Sequence, residues 1–220
     1  PDFVWVKRRN AATRHDLFDA VRGGSSILES SDSRAENIVS GALTFDSDGF
    51  TAAVDPSFGD TGSSGNTFVG WQWLAANGTV SNSDGSITST VSANTTAGFS
   101  VVNYTGTGAN ATVGHGLASA PEFVVAKSVG GAHSWRVWHK DLTSAAYIMY
   151  LNVPDAQASE ATAWNSTAPT SSVISLGSSN GTNKSSTENI IYSWHSVEGF
   201  SKFGKYTGNG STDGPFIFTG

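Results

Sequence analysis

Few side chains in this sequence could carry out chemistry, and their spacing matches no familiar catalytic or metal-binding pattern. Five histidines are present, at positions 15, 115, 133, 139 and 195, and there is no cysteine. His133 and His139 are six residues apart, too far for a pair on one helical turn. None of the five is spaced as zinc-ligating histidines are. The sequence therefore predicts no metal site and allows no disulfide or thiolate site.

Patterns expected of an enzyme are also missing. Gly62-Ser-Ser-Gly65 lacks the spacing of a nucleophile elbow, and the acidic residues are scattered over turns rather than paired. Gly106-Thr-Gly108 has no third glycine for a nucleotide-binding loop. Asp46 and Asp48 begin like a calcium loop, but the downstream acidic ligand is absent, which favours a plain turn. We expect a non-enzymatic protein that needs no cofactor.

Aromatic residues in loops are the remaining candidates for ligand binding. His133 and Trp135 follow a Gly-Gly turn, and Trp164 and Asn165 fall in a long loop. Rings at such positions could stack on the faces of sugars, so these four residues are the predicted ligand-binding residues. The alternative is ordinary core or interface packing, because tryptophan is buried on average.

A basic run near the start is a second candidate. Lys7-Arg8-Arg9-Asn10, with Arg14, could hold an anionic polysaccharide through charge-assisted hydrogen bonds. A solvated hairpin tip is the favoured alternative, because charge costs least at loop tips.

An internal repeat indicates which elements position these residues. Pro1-Asp-Phe-Val-Trp-Val-Lys7 returns as Pro121-Glu-Phe-Val-Val-Ala-Lys127, 120 residues later. Val69-Gly-Trp-Gln-Trp73 matches Ile190-Ile-Tyr-Ser-Trp194 in the same order. Because self-similarity at a fixed spacing marks repeated structural units, the chain is predicted to contain a duplication.

A third block shows where each copy begins. Gly98-Phe-Ser100 returns as Gly199-Phe-Ser201. Tyr104-Thr-Gly-Thr-Gly108 returns as Tyr206-Thr-Gly-Asn-Gly210, with one residue inserted between the two blocks. A third copy therefore opens at residue 199.

The composition indicates an all-β fold. The chain has 25 glycines, long Ser/Thr/Asn tracts and only 14% charged residues, which suits short strands joined by turns. We predict tandem antiparallel β-sandwich repeats of a jelly-roll or lectin-like type. Residues 1–97 form the first repeat, including a Ser/Thr-rich hairpin insertion, and residues 98–198 form the second. Residues 199–220 start a third repeat and add strands to a neighbouring unit.

Local signals refine this prediction. An Asp-Gly pair between Phe45 and Phe50 predicts a hairpin, and Asp84-Gly85 predicts another within the insertion. The second copy contains about seven short strand patterns, as expected of a β-sandwich. Residues 154–164 are the only segment predicted to be helical.

Charge and hydropathy exclude two classes of partner. The net charge of -6 and the isoelectric point near 5.2 argue against binding nucleic acid, which requires a basic face. No run of 18 or more apolar residues occurs, so membrane insertion is not expected. The chain begins within a strand pattern, which is typical of a fragment of a longer protein.

Several blocks together resemble repeat domains in virion structural proteins of tailed bacteriophages, especially those of marine and cyanobacterial hosts. These blocks are the repeated Gly-Phe-Ser and Tyr-Thr-Gly-x-Gly, Val113-Gly-His-Gly-Leu117, Pro121-Glu-Phe-Val-Val-Ala-Lys127, Glu198-Gly-Phe-Ser-Lys-Phe-Gly204 and Asp213-Gly-Pro-Phe-Ile-Phe218. The resemblance covers nearly the whole chain. It implies a tail-fibre or appendage component with a lectin-like β-sandwich fold, located at the virion surface, and it supplies no catalytic residue.

Three functions follow as hypotheses. The first is a non-enzymatic tail-fibre or appendage module that contributes to attachment to host-surface glycans. The second is a stand-alone carbohydrate-binding module or a capsid-surface decoration protein, and the third is a glycan-degrading enzyme. Expected partners are other virion subunits and host cell-surface polysaccharide.

The end of the sequence predicts self-association. Tyr206, Phe216 and Phe218 are apolar residues in a repeat that lacks its partner strands, and such edges pair with other chains. We expect these three residues to contact another subunit in a homo-oligomer, with a trimer as the expected state.

Overall fold

The computed structural model describes residues 1–53 and 61–219, and strands are the only extended regular elements in these ranges. The first seven strands are β1 (Phe3–Arg8), β2 (His15–Asp19), β3 (Ser26–Glu29), β4 (Asn37–Ile38), β5 (Leu43–Phe45), β6 (Phe50–Ala52) and β7 (Phe68–Trp73). Five of them form the first sheet, in the order β4-β3-β2-β1-β7, while β5 and β6 form a separate hairpin. The predicted all-β class is confirmed.

The other ten strands build the second half of the molecule. They are β8 (Val80–Asn82), β9 (Ser89–Asn94), β10 (Phe99–Thr105), β11 (Ala111–Gly114), β12 (Phe123–Ser128), β13 (Arg136–His139), β14 (Tyr147–Tyr150), β15 (Ala158–Ser159), β16 (Val173–Leu176) and β17 (Glu188–Trp194). Eight form the second sheet, in the order β15-β14-β13-β12-β17-β10-β9-β8, and β11 pairs with β16. All pairings between these named strands are antiparallel.

The two sheets repeat the same pairing pattern. Phe3 of β1 lies opposite Asp19 of β2 and Trp73 of β7. Phe123 of β12 lies opposite His139 of β13 and Trp194 of β17, in the matching positions. Strands β1, β2, β3, β4 and β7 therefore correspond to β12, β13, β14, β15 and β17.

Turns outside the sheets repeat as well. The Val39 N–H donates to the Ser25 carbonyl at 2.9 Å, and the Glu160 N–H donates to the Ala146 carbonyl at 2.9 Å, 121 residues later. The two copies therefore share this backbone contact outside the strand ladders as well.

A lysine closes the first turn of each copy. Lys7 Nζ donates to the carbonyls of Arg8 at 2.5 Å and Ala11 at 3.0 Å. Lys127 Nζ donates to the carbonyls of Ser128 at 2.6 Å and Gly131 at 2.8 Å, which are the same two positions. The lysine that ends the repeated Pro-x-Phe-Val block is thus a structural residue that satisfies loop carbonyls.

The equivalent faces of the two sheets pack against each other. In β1 and β7 the inward side chains include Phe3 and Trp73, because alternate strand residues share a face. The Phe3 ring lies 4.4 Å from Tyr192, and Trp73 lies 5.9 Å from Trp194, measured between ring centroids. The two copies therefore share one central core.

The outer face of each sheet is covered by a small layer. Val4 and Phe18 of the first sheet pack with Leu43 of the β5–β6 hairpin. Val124 and Trp138 of the second sheet pack in the cluster that holds Ile174 of the β11–β16 pair. The molecule is therefore layered, with two large sheets inside and a short pair of strands on each outside face.

A buried ion network also links the copies. Arg22 Nε donates to Asp19 Oδ2 at 2.7 Å, and Arg22 Nη1 donates to Glu36 Oε1 at 2.6 Å. Tyr192 Oη, from the second copy, donates to Asp19 Oδ2 at 2.7 Å. Burial lowers the pKa of Arg22, but its partners Asp19, Tyr192 and Glu36 outweigh burial and raise that pKa. Arg22 therefore stays protonated inside the interface.

Both predicted hairpins are present. Phe45 of β5 lies directly opposite Phe50 of β6, around the Asp-Gly turn. Val80–Asn82 pairs with Ser89–Asn94 across residues 83–88. The second hairpin differs from the prediction in its location, since β9 pairs with β10 and so extends the second sheet. The insertion assigned to the first repeat thus lies on the second.

Two other predicted features are not observed. Residues 154–164 contain β15 and a turn instead of a helix, because Ala158 pairs with Ile148 of the neighbouring strand. Residues 199–219, expected to supply strands, form only an isolated bridge between Val197 and Ser201. They make no sheet pairing within the described part of the chain.

Candidate functional site

Trp135, one of the four predicted ligand-binding residues, is part of the central core. Its side chain is fully buried between the sheets. Its indole Nε1 donates to the carbonyls of Glu29 at 2.8 Å and Asp32 at 3.2 Å, at the end of β3 and in the turn that follows it in the first copy. The ring presents no face to solvent, so the structure corrects the expectation that Trp135 stacks on an external ligand.

The other three predicted residues do not join Trp135 in one site. Trp164 is buried in the outer cluster, on the opposite face of the second sheet, and is likewise unavailable for stacking. Asn165 is exposed at a turn with a φ of 50°. His133 is half-buried, and burial together with Lys184 lowers its pKa. Trp135 and Trp164 are therefore core-packing residues, which was the alternative interpretation of the sequence.

A different set of aromatic residues lines an open groove. Trp5, His15, Trp71 and Trp73 enclose a cavity of about 230 Å³. A second cavity, of about 400 Å³, shares Trp5 and His15 with the first and continues along Ser30, Ser31 and residues 151–154. We call these lining residues together the aromatic groove.

The groove exists because the inner face of the first sheet extends beyond its contact with the second. Trp5 lies opposite Trp71 in the β1–β7 ladder and on the same face as Phe3, two residues earlier. Phe3 is buried in the central core, whereas Trp71 is 46% exposed. The rings of Trp5 and Trp71 meet edge to face at 5.9 Å between centroids. The tryptophans support one another and leave part of their surface open to a ligand.

A difference in side-chain size between the two copies explains the cavity of the aromatic groove. His15 occupies the position that Trp135 occupies in the second copy, as the strand register shows. The His15 N–H donates to Ser31 Oγ at 3.3 Å, and the Trp135 N–H donates to Asn152 Oδ1 at 3.0 Å, again at matching positions. The indole of Trp135 fills its site, while the smaller imidazole of His15 leaves a cavity.

Polar groups are few along the groove, as in small-molecule sites generally. Burial lowers the pKa of His15, and Lys7 lowers it further. His15 is therefore mostly uncharged at neutral pH, with ring nitrogens that can donate or accept one hydrogen bond each. Trp5 Nε1 is buried and has no hydrogen-bond partner among residues 1–53 and 61–219. A ligand with hydroxyl groups would find one donor and one acceptor on the imidazole of His15.

The basic run beside the groove is engaged within the chain. Arg14 Nη1 contacts Glu29 Oε1 at 2.6 Å. Arg8 Nη2 donates to Asn66 Oδ1 at 2.5 Å, and Arg8 Nε donates to Asn10 Oδ1 at 3.0 Å. These contacts tie the tip of the β1–β2 hairpin to the start of β7, which favours the structural interpretation of the basic residues.

The predicted oligomer contacts are exposed in the single chain. Phe216 is 91% exposed, and Tyr206 and Phe218 are also largely exposed. All three lie in residues 199–219, which form no sheet pairing. Whether they contact another subunit stays a prediction.

The groove residues carry a signal that sequence reasoning missed. Trp71 and Trp73 alternate in one strand, and the repeat places Trp5 and His15 beside them. The signal is the difference between the copies: Trp71 and Trp5 stand where the second copy has Tyr192 and Val125. Both of those residues are buried in the central core.

No group of three or more His, Asp or Glu residues in residues 1–53 and 61–219 could hold a metal ion. In the same part of the chain, no helix is long and apolar enough to cross a membrane.

With the all-β fold and the groove established, comparison with known proteins places the chain in a family. Residues 1–220 match the domain of unknown function DUF7483, and the chain belongs to that family. The match includes both copies of the repeat and residues 199–220. No curated protein and no solved structure matches the chain significantly.

Proposed function

We propose that this protein is a non-enzymatic module of a bacteriophage virion, in a tail fibre or appendage, that binds host-surface glycans through the aromatic groove. The observation that carries the proposal is the row of Trp5, Trp71 and Trp73 along an open cavity. We propose a jelly-roll or lectin-like fold for the chain. In that setting a row of tryptophan rings is suited to flat ligands that carry hydroxyl groups.

The chemistry of the groove fits a neutral sugar. Tryptophan offers a large apolar face together with one N–H donor, which matches the alternating C–H and O–H groups of a pyranose ring. Ser30, Ser31 and His15 add hydroxyl and imidazole groups beside the rings. The chain carries a net charge of -6, so long-range attraction of an anionic ligand is not expected.

The virion setting rests on the sequence blocks that resemble phage structural repeats. Many weak sites on one particle raise avidity by factors on the order of 10² or more without any new contact. A single shallow groove with modest affinity is therefore sufficient for attachment when many copies are displayed. A stand-alone carbohydrate-binding module or a decoration protein would use the same groove outside that setting.

The first prediction tests the groove directly. Trp71→Ala removes the most exposed ring of the groove, so binding to a glycan selected on an array should weaken by roughly two- to twelvefold, since one good stacking contact contributes about 0.5–1.5 kcal/mol. Isothermal titration calorimetry measures the change. Ile38→Ala, at an exposed apolar residue of β4, is the matched control and should bind as the unsubstituted chain does.

The binding measurement and two further assays separate the competing functions. Release of reducing ends from host polysaccharide would contradict the non-enzymatic proposal. Equal binding by Trp71→Ala and the unsubstituted chain would exclude the groove as the site. Mass spectrometry of purified phage particles distinguishes a virion component from a stand-alone module, because only the former co-purifies at fixed stoichiometry.

A further inference from the structure

The first sheet ends at an unpaired edge. β7 pairs with β1 on one side and has no partner strand on the other within the described residues. Its counterpart β17 is paired on both sides, with β12 and with β10. The outer edge of β7 therefore offers backbone groups that, in the other copy, a strand already covers.

The chain carries a second version of the strand that covers β17. β10 begins at Phe99, within the block Gly98-Phe-Ser100, and the same block returns as Gly199-Phe-Ser201. The flanking backbone matches at both ends. Gly98 and Gly199 have φ of 69° and 71°, and Gly108 and Gly210 have φ of 70° and 69°. These left-handed conformations favour glycine, so the matching glycines set the same turns around each segment.

Between Gly199 and Gly210, this second segment pairs with none of the named strands. Phe200 and Tyr206 are exposed, although their counterparts Phe99 and Tyr104 are buried. The segment is held on its own chain by the Val197–Ser201 bridge and by the Phe203 ring, which stacks on Phe123 at 5.7 Å. The Phe203 N–H also donates to Ser196 Oγ at 3.0 Å. Pairing elsewhere would exchange these few local contacts for a ladder of backbone hydrogen bonds.

We propose that the segment from Phe200 to Tyr206 of one copy adds as an antiparallel strand to the outer edge of β7 in a second copy of this protein. The inference is independent of glycan binding, because it rests on strand pairing alone. It identifies the interface through which the expected homo-oligomer forms, a known type of recognition by strand addition.

The repeat fixes the register of the proposed pairing. Phe99 lies opposite Trp194, and Ser100 lies opposite Ser193. Transferred to the equivalent strands, Phe200 of one copy lies opposite Trp73 of the other, and Ser201 lies opposite Gln72. The Phe99 and Trp194 rings are 5.1 Å apart, so Phe200 and Trp73 would form the matching aromatic pair. The residue inserted before Tyr206 would form a β-bulge.

A second copy fits better than the same chain as the source of the strand. Gly204 and Lys205 lie beside His139 and Met149 of the second sheet, whereas the open edge belongs to the first. The downstream part of the segment therefore lies away from the free edge of its own chain. Head-to-tail pairing of this kind produces rings when the rotation closes and filaments when it does not.

Engineered cysteines test the register, because the natural chain has none. A tagged Gln72→Cys chain is mixed with an untagged Ser201→Cys chain under mild oxidation. Directly opposed residues in an antiparallel pair have Cα atoms about 4.5–5.5 Å apart, within the range a disulfide spans. We expect a disulfide-linked heterodimer on a non-reducing gel as the main product.

Lys202→Cys is the matched control for Ser201→Cys. It leaves the strand pairing unchanged but moves the thiol one residue along the strand, and so to the other face of the sheet. Its cross-linking yield with Gln72→Cys should be at least about tenfold lower. Absence of the heterodimer, or equal yields from the two variants, would overturn the proposal. So would a chain with both cysteines that closes on itself as a monomer.

Light scattering of the unsubstituted chain gives a second reading that does not depend on cysteine variants. We expect a mass above 22.8 kDa that rises with concentration. A mass fixed at that of one chain across the micromolar range would contradict the pairing. Neither measurement involves a glycan, so failure of strand addition and failure of glycan binding are distinguishable.

Discussion

Equivalent residues in the two copies have taken on different roles, and the lysines show this most clearly. Lys7 and Lys127 donate to the same pair of loop carbonyls, yet Lys127 is fully buried while Lys7 remains half-exposed. Burial, together with the neighbouring charges of Lys184 and Arg22, lowers the pKa of Lys127 to about 8. A charged ammonium at this position therefore costs the folded state free energy.

The pH dependence of stability follows from that pKa. Below about pH 8 the amine is protonated in both states, so the folded state carries the whole cost. Between about 8 and the ordinary value of 10.5, the unfolded chain binds more protons, so the free energy of unfolding rises with pH. Urea unfolding should show the contribution of Lys127 growing by about 2 kcal/mol between about pH 7 and 9.5.

Lys127→Met isolates this contribution because it keeps a long apolar side chain. The difference in unfolding free energy between this variant and the unsubstituted chain should shift by that amount over the same pH range. Lys7→Met controls for the loss of the two carbonyl bonds. A difference that stays constant with pH would show that Lys127 is not titrating in this range.

At the scale of elements, local sequence signals predicted strands and hairpins well. Phe45 and Phe50 pair across their Asp-Gly turn because that turn depends only on adjacent residues. Residues 154–164 were predicted to be helical on local propensity, but pairing of Ala158 with Ile148 overrides it. Tertiary pairing of this kind involves residues distant in sequence, and a local pattern does not contain it.

The candidate site was harder to predict for the same reason. Trp135 follows a glycine turn, as a loop ligand residue would, yet its partner carbonyls belong to Glu29 and Asp32 of the other copy. Nothing near Trp135 in the sequence indicates that contact. The groove around Trp71 likewise depends on how far one sheet extends beyond the other, which is a property of packing.

The Gly106-Thr-Gly108 turn illustrates an element held by a single side chain. Asn183 is buried; its Oδ1 accepts from the Thr107 N–H at 2.8 Å, and its Nδ2 donates to the carbonyls of Ala109 at 2.7 Å and Gly177 at 2.9 Å. The contacts show a clamped β-turn, and they use the side chain of Asn183 fully.

Removal of that clamp should destabilise the fold without affecting the groove. Asn183→Ala leaves the buried Gly177 carbonyl without its side-chain donor, while the Thr107 N–H and the Ala109 carbonyl belong to exposed residues that water can reach, so we expect a loss of about 1–3 kcal/mol. Chemical denaturation measures the loss, and Asn180→Ala, at an exposed residue of the same loop, is the control. A loss similar to that of the control would contradict the clamp.

At the scale of the whole molecule, the duplication has produced one cooperative body with a shared core. Phe3 of the first copy lies 4.4 Å from Tyr192 and 5.9 Å from Phe99, both of the second sheet. The buried network of Arg22, Asp19 and Tyr192 crosses the same interface. Each sheet therefore depends on the other to cover its inner face, unlike repeats joined as beads on a string.

This arrangement predicts a single unfolding transition for the chain. Phe3→Ala deletes a ring from the shared core and should cost about 3–5 kcal/mol. Because both copies depend on that core, calorimetry should show one transition moved to lower temperature, with calorimetric and van't Hoff enthalpies that agree. Phe123→Ala, at the equivalent position of the second copy, should move the same single transition. Two separate transitions, of which Phe3→Ala moves only one, would show that the copies fold independently and that the packing between the sheets contributes little.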